Sequence, residues 1–161
     1  MTLTETIRQI ETVASGTPSV SSIVRNDIFR LNSLPEAEYA VFGWTQGIHT
    51  ASVESSLVTF QFTLFYIDRL RSDKRNELEI QSVGIQVLDN IIRTLNENGV
   101  FCDSQYTFTT FRQRFLDECA GVFTNVYLTV PVSDLCDETY ADFNDDFNVD
   151  FAIGKDGVKI Y

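Results

Sequence analysis

Residues 58–99 constrain the fold most, because they hold a long alternating strand and a long one-faced helix back to back. Val58, Phe60, Phe62, Leu64 and Tyr66 alternate with Thr59, Gln61, Thr63, Phe65 and Ile67. Successive side chains of a strand point to opposite faces, so one face is strongly apolar and the other begins polar. After the charged stretch Asp68–Arg75, the spacing predicts a helix from Asn76 to Asn98-Gly99. Asn76 suits its N-cap, with Glu79 three residues on to reach back, and Asn98-Gly99 suits its stop. Between them Ile80, Val83, Gly84, Val87, Leu88, Ile91 and Leu95 form a single stripe. A helix with one apolar face must cover a sheet or another helix.

The flanking elements follow from the same periodicities. Thr2-x-x-Glu5 reads as a capping box for an N-terminal helix whose apolar positions are Leu3, Ile7, Ile10 and Ala14 or Val13. Ser15-Gly16-Thr17-Pro18-Ser19 breaks it. Residues 23–34 fit neither period, and Leu34-Pro35-Glu36 reads as a turn. Tyr39–Trp44 is a short apolar strand, and the polar residues 45–53, with Gly47, read as a loop. Two further strands are expected at Tyr106–Phe111, running on toward Phe115, and at Val122–Val130, which Pro131 ends. Residues 115–121 read as an irregular connection. The economical architecture is α+β: a twisted antiparallel sheet with the N-terminal helix and the long helix packed on it. A chain of 161 residues makes one such domain, over residues 1–132. Residues 133–161 then form an extended acidic, aromatic C-terminal arm, ending in a hairpin turned at Asp156-Gly157.

Charge narrows the function classes. The net charge is −11, and residues 134–150 hold seven acids (Asp134, Asp137, Glu138, Asp142, Asp145, Asp146 and Asp150) with no base. Such a chain repels phosphate backbones, so tight or sequence-specific DNA binding is not expected. No apolar run has the roughly 18 residues needed to cross a bilayer, and no signal-peptide pattern opens the chain, so it reads as soluble.

The motifs of catalysis are missing from the pattern. His49 is the single histidine, with no nucleophile marked as its partner. Cys102, Cys119 and Cys136 are too few and too widely spaced for a zinc site, and read as buried or half-buried thiols. Asp117-Glu118 diverge in any regular structure. Asp142-x-Asn144-x-Asp146-x-Asn148-x-Asp150 supplies oxygens like the start of a calcium loop. However, Phe147 stands where that loop needs glycine, and Ile153 where it needs glutamate. The expectation is no catalytic residue, no cofactor and no metal. Tyr140, Phe143, Phe147 and Phe151 instead stud the acidic strip with groups that must be buried, against a partner or against the chain itself. The interface candidates are Tyr140, Phe143, Asp145, Asp146 and Phe147 on the arm, with Arg69, Arg71, Lys74 and Arg75 as an oppositely charged cluster for a neighbouring subunit to meet.

Several segments resemble small tail-completion or neck ring proteins, of the tail-terminator or head–tail joining type, from phages and prophages of Bacteroidetes, including crAss-like phages. They are Asn26-Asp27-Ile28-Phe29-Arg30-Leu31-Asn32, Tyr39-Ala40-Val41-Phe42, Phe62–Leu70 with Asn76–Ser82, and Arg114–Val122. Asn26 stands where that family usually has glycine, and Ala40 where it often has proline. The resemblance implies a tail-terminator-like fold and a structural virion protein, made in the cytoplasm of the bacterial host. It would form a six- or twelvefold ring with copies of itself, among portal, neck or tail proteins, and would let DNA pass. The alternatives are a stand-alone cytoplasmic protein-binding adaptor and, further off, a small metal-dependent hydrolase.

Overall fold

The computed structural model describes residues 1–26, 39–52, 54–114 and 118–131. The turn at 34–36, the C-terminal arm and its hairpin lie outside the described residues. Among the described residues, two helices and seven strands follow the order α1 (Leu3–Ser15), β1 (Ser22–Arg25), β2 (Val41–Gln46), β3 (Thr50–Ser52), β4 (Leu57–Arg69), α2 (Glu77–Glu97), β5 (Phe101–Cys102), β6 (Phe108–Arg114) and β7 (Glu118–Pro131). The class is the α+β expected.

β4 and β7 form the spine. They pair antiparallel from Leu57↔Pro131 to Arg69↔Cys119 without interruption. Each outer side of that spine carries a broken strand. β2 and β3 both pair with β4, and β5 and β6 both pair with β7. Between Gln46↔Phe62 and Thr50↔Thr59 the outer strand has one residue more than β4, which makes a bulge. Gln61 bridges it: its carbonyl accepts from Gly47 N at 2.8 Å and its Oε1 from Ile48 N at 3.2 Å. The polar stretch 45–53, expected as a loop, is therefore partly strand. Its side chains are largely exposed, and β4's backbone holds it in place, so no alternation marks it in sequence.

Three other expectations need correction. β1 runs parallel to β2, so the sheet is not wholly antiparallel. The intervening residues are long enough for the crossover that parallel pairing requires. Glu118–Gly121 is the start of β7, not irregular connection, because β4 and β6 pair with it on both sides. Asn76 stands at the N-cap of α2 but makes no side-chain capping bond; its amide is used elsewhere, as described below.

Both helices lie on one sheet face. Thr2 and Glu5 make the reciprocal capping box of α1, and Gly16 ends it. Ile10 and Ala14 face inward with no exposure. The α2 stripe is as expected, with Ile92 joining it. Phe42, Phe62, Leu64, Leu88, Ile91, Leu95 and Leu128 are fully buried in this layer, and each contributes about 1.5–3 kcal/mol through lost apolar hydration. α2 comes close to the sheet at Gly84, where a Cβ would stand 3.0 Å from both Tyr66 Cδ1 and Val122 Cγ2. α1 is tied to β1 and β2 through Glu11. Its carboxylate accepts from Arg25 Nε at 2.6 Å and Nη2 at 2.7 Å, and from Trp44 Nε1 at 3.2 Å.

The second sheet face divides in two. Toward the Arg69 end of β4 it is apolar, with Val24, Val41, Phe65, Ile67 and Cys119 buried beside Tyr39, Phe111 and Phe123. Toward the other end it is polar and uncharged, and cross-strand bonds join Thr59 to Thr129 at 2.9 Å and Thr63 to Asn125 at 2.6 Å.

Candidate functional site

The sequence points to the β4–α2 connection, and the structure shows how it is held. Leu70 is nearly buried, and its N–H donates to Glu118 O at 2.9 Å, so the chain leaves β4 still attached to β7. The Asn76 side chain then closes the loop. Its Oδ1 accepts from Arg71 N at 2.9 Å and its Nδ2 donates to Arg69 O at 3.2 Å. Lys74 takes a left-handed backbone conformation, φ 57°, and its N–H donates to Arg71 O at 2.8 Å. The connection is a tight, internally bonded turn. This is why Asn76 does not cap α2: both of its polar atoms are already engaged.

Charges of both signs gather at this turn. Lys74 Nζ lies 3.0 Å from Glu118 Oε2, and Arg75 Nε lies 3.8 Å from Asp73 Oδ2. Arg112, from β6, lies 3.7 Å from Glu118 and 3.7 Å from Glu77. The Arg69 guanidinium sits 4.9 Å from the centre of the Tyr39 ring. Of the four cations expected to meet a neighbouring subunit, Arg69, Lys74 and Arg75 therefore stand beside groups of their own chain, while Arg71 is held in this turn by its backbone N–H. Arg112 and Glu118 share the site although they are far from it in sequence, and Glu77 joins them from the first turn of α2. No spacing rule could have added Arg112 and Glu118, because the β6–β7 register brings them there. Pairs this exposed contribute little stability, about 0–1 kcal/mol each. Tyr140, Phe143, Asp145, Asp146 and Phe147 lie outside the described residues.

The sheet margins are a second candidate for recognition. β6 pairs with β7 residue for residue from Phe108↔Thr124 to Arg114↔Glu118, without a bulge. Among the described residues no strand pairs with its outer edge. The opposite margin is built differently, from the short β1 and from β3, whose three residues are all exposed.

Chemistry-bearing groups are scattered. His49 packs edge-on against Phe60, with ring centres 5.3 Å apart, and its Nε2 is 3.3 Å from Gln46 Oε1. Cys119 is buried and Cys102 half-buried. Among the described residues no three His, Cys, Asp or Glu side chains stand where they could hold a metal ion, and no helix is long and apolar enough to cross a membrane. Compared with known proteins, the chain matches no family model and no curated protein sequence.

Proposed function

We propose that this chain is a non-enzymatic structural subunit of a phage tail or neck, packing with copies of itself into a six- or twelvefold ring. The ring would stand between portal or head and tail, with DNA passing through its lumen without tight binding. The observation that carries the reading is the outer edge of β6. It spans seven residues, Phe108–Arg114, with no proline and no bulge, and no described strand pairs with it. Proteins usually blunt such edges, and an unblunted one is suited to pairing with another chain. A closed ring also needs two unlike patches on each subunit, and the two sheet margins differ in length and composition. The resemblance of the segments Asn26–Asn32, Tyr39–Phe42, Phe62–Leu70, Asn76–Ser82 and Arg114–Val122 supports the same reading.

Light scattering on the purified chain, with negative-stain imaging of the same sample, tests the proposal. Rings of six or twelve copies are expected at high protein concentration, and proline at Thr109 or Thr110 should abolish them at whichever position points its N–H outward. A persistent monomer with no rings in the images would favour the adaptor reading. Substrate turnover by the isolated chain would overturn the structural one.

A further inference from the structure

Where β4 ends and α2 begins there is a cleft of about 130 Å³, lined in part by Tyr66. Asp68, Arg71 and Glu79 stand around it, and Ile80 and Val83 supply an apolar wall. Tyr66 is 3% exposed, and no described residue hydrogen-bonds its hydroxyl. The ring is buried but the hydroxyl itself is not sealed off, so it opens on the cleft, where a ligand would reach it. Glu79 and Arg71 likewise make no ion pair through their side chains among the described residues. Asp68 uses one oxygen to accept from Arg69 N at 2.7 Å, and no described residue bonds the other.

Sign and shape decide what fits. Two carboxylates face one guanidinium. Burial first, and then the charge of Asp68, pushes the Tyr66 phenol up to about 12. Negative potential over an apolar wall suits an aliphatic stem ending in a cation.

We infer that this cleft binds the lysine or arginine side chain of a partner protein. The charged head would lie between Asp68 and Glu79 and receive the lone pair of the Tyr66 hydroxyl, and the methylenes would lie on Ile80 and Val83. The assignment does not depend on the ring reading, since any protein partner could supply the side chain.

Titrating the isotope-labelled full chain with n-butylguanidinium, and separately with butyrate, tests this by amide chemical shifts. The cation should produce saturable shifts confined to residues 66–83, with a dissociation constant on the order of millimolar for so small a probe. Asp68→Asn, which keeps the acceptor for Arg69 N, and Glu79→Gln should each weaken binding about three- to tenfold. Resonances outside the cleft report whether each variant is still folded. Shifts that do not saturate, that butyrate reproduces, or that survive both substitutions unchanged in a folded protein would overturn the inference.

Discussion

The Tyr106 hydroxyl donates to Asp89 Oδ1 at 2.5 Å, and so pins the residues leading into β6 to the middle of α2. The other carboxylate oxygen of Asp89 accepts from Arg93 Nε at 2.7 Å. Helix and sheet margin are thus joined by a charge-assisted bond outside the apolar core.

That bond makes stability depend on pH. Hydrogen bonding from Arg93, and then from Tyr106, holds the Asp89 carboxyl below its ordinary value. A group depressed in the fold contributes stability above its unfolded pKa and loses that contribution as pH falls through its folded value. Asp89→Asn should therefore lower the urea midpoint more at pH 7 than at pH 3. Equal losses at both values would show that the charge is not what matters.

Two phenols should ionise late. Burial, and then the bond to Asp89, pushes Tyr106 up to about 12, and Tyr66 reaches about 12 through burial and the charge of Asp68. For a raised group the stabilising contribution is complete below the unfolded value, about 10 for tyrosine, and is lost as pH rises through the folded one. Phenolate absorbance followed against pH should show Tyr66→Phe and Tyr106→Phe each removing one late-titrating group.

Gly43 and Phe65 are directly paired between β2 and β4. A Cβ at position 43 would stand 2.1 Å from Phe65 Cζ, so the ring lies over the glycine. Gly43→Ala should cost about 2–3 kcal/mol in chemical denaturation, as overpacking of a filled site does. In the presence of Phe65→Leu the same substitution should cost clearly less. Additive losses would mean that the ring is not the obstacle.

The described thiols should be unreactive in the folded protein. Burial, and then the nearby charge of Asp103, pushes Cys102 up to about 11, and Cys119 has no exposure. Thiolate is the reacting form, so in a Cys136→Ser variant a disulfide reagent at pH 8 should titrate almost nothing until denaturant is added, and then two thiols. Rapid reaction of one thiol under native conditions would contradict this burial.

The sequence by itself determined the elements whose own side chains carry the period. The β4 alternation, the α2 stripe and the Thr2–Glu5 capping box all stand in the structure because each is a local pattern that burial or capping enforces. Tertiary structure decided the rest, by pairing. Thr50–Ser52 is a strand because β4 offers it hydrogen bonds, and Glu118–Gly121 is one because it lies between β4 and β6. The parallel β1–β2 pair and the Arg112–Glu118–Glu77 contacts depend on which strands become neighbours. The basic run 69–75 was legible as charge, but its anionic partners were not, because backbone hydrogen bonds carry no residue identity and long-range neighbours leave no periodic trace along the chain.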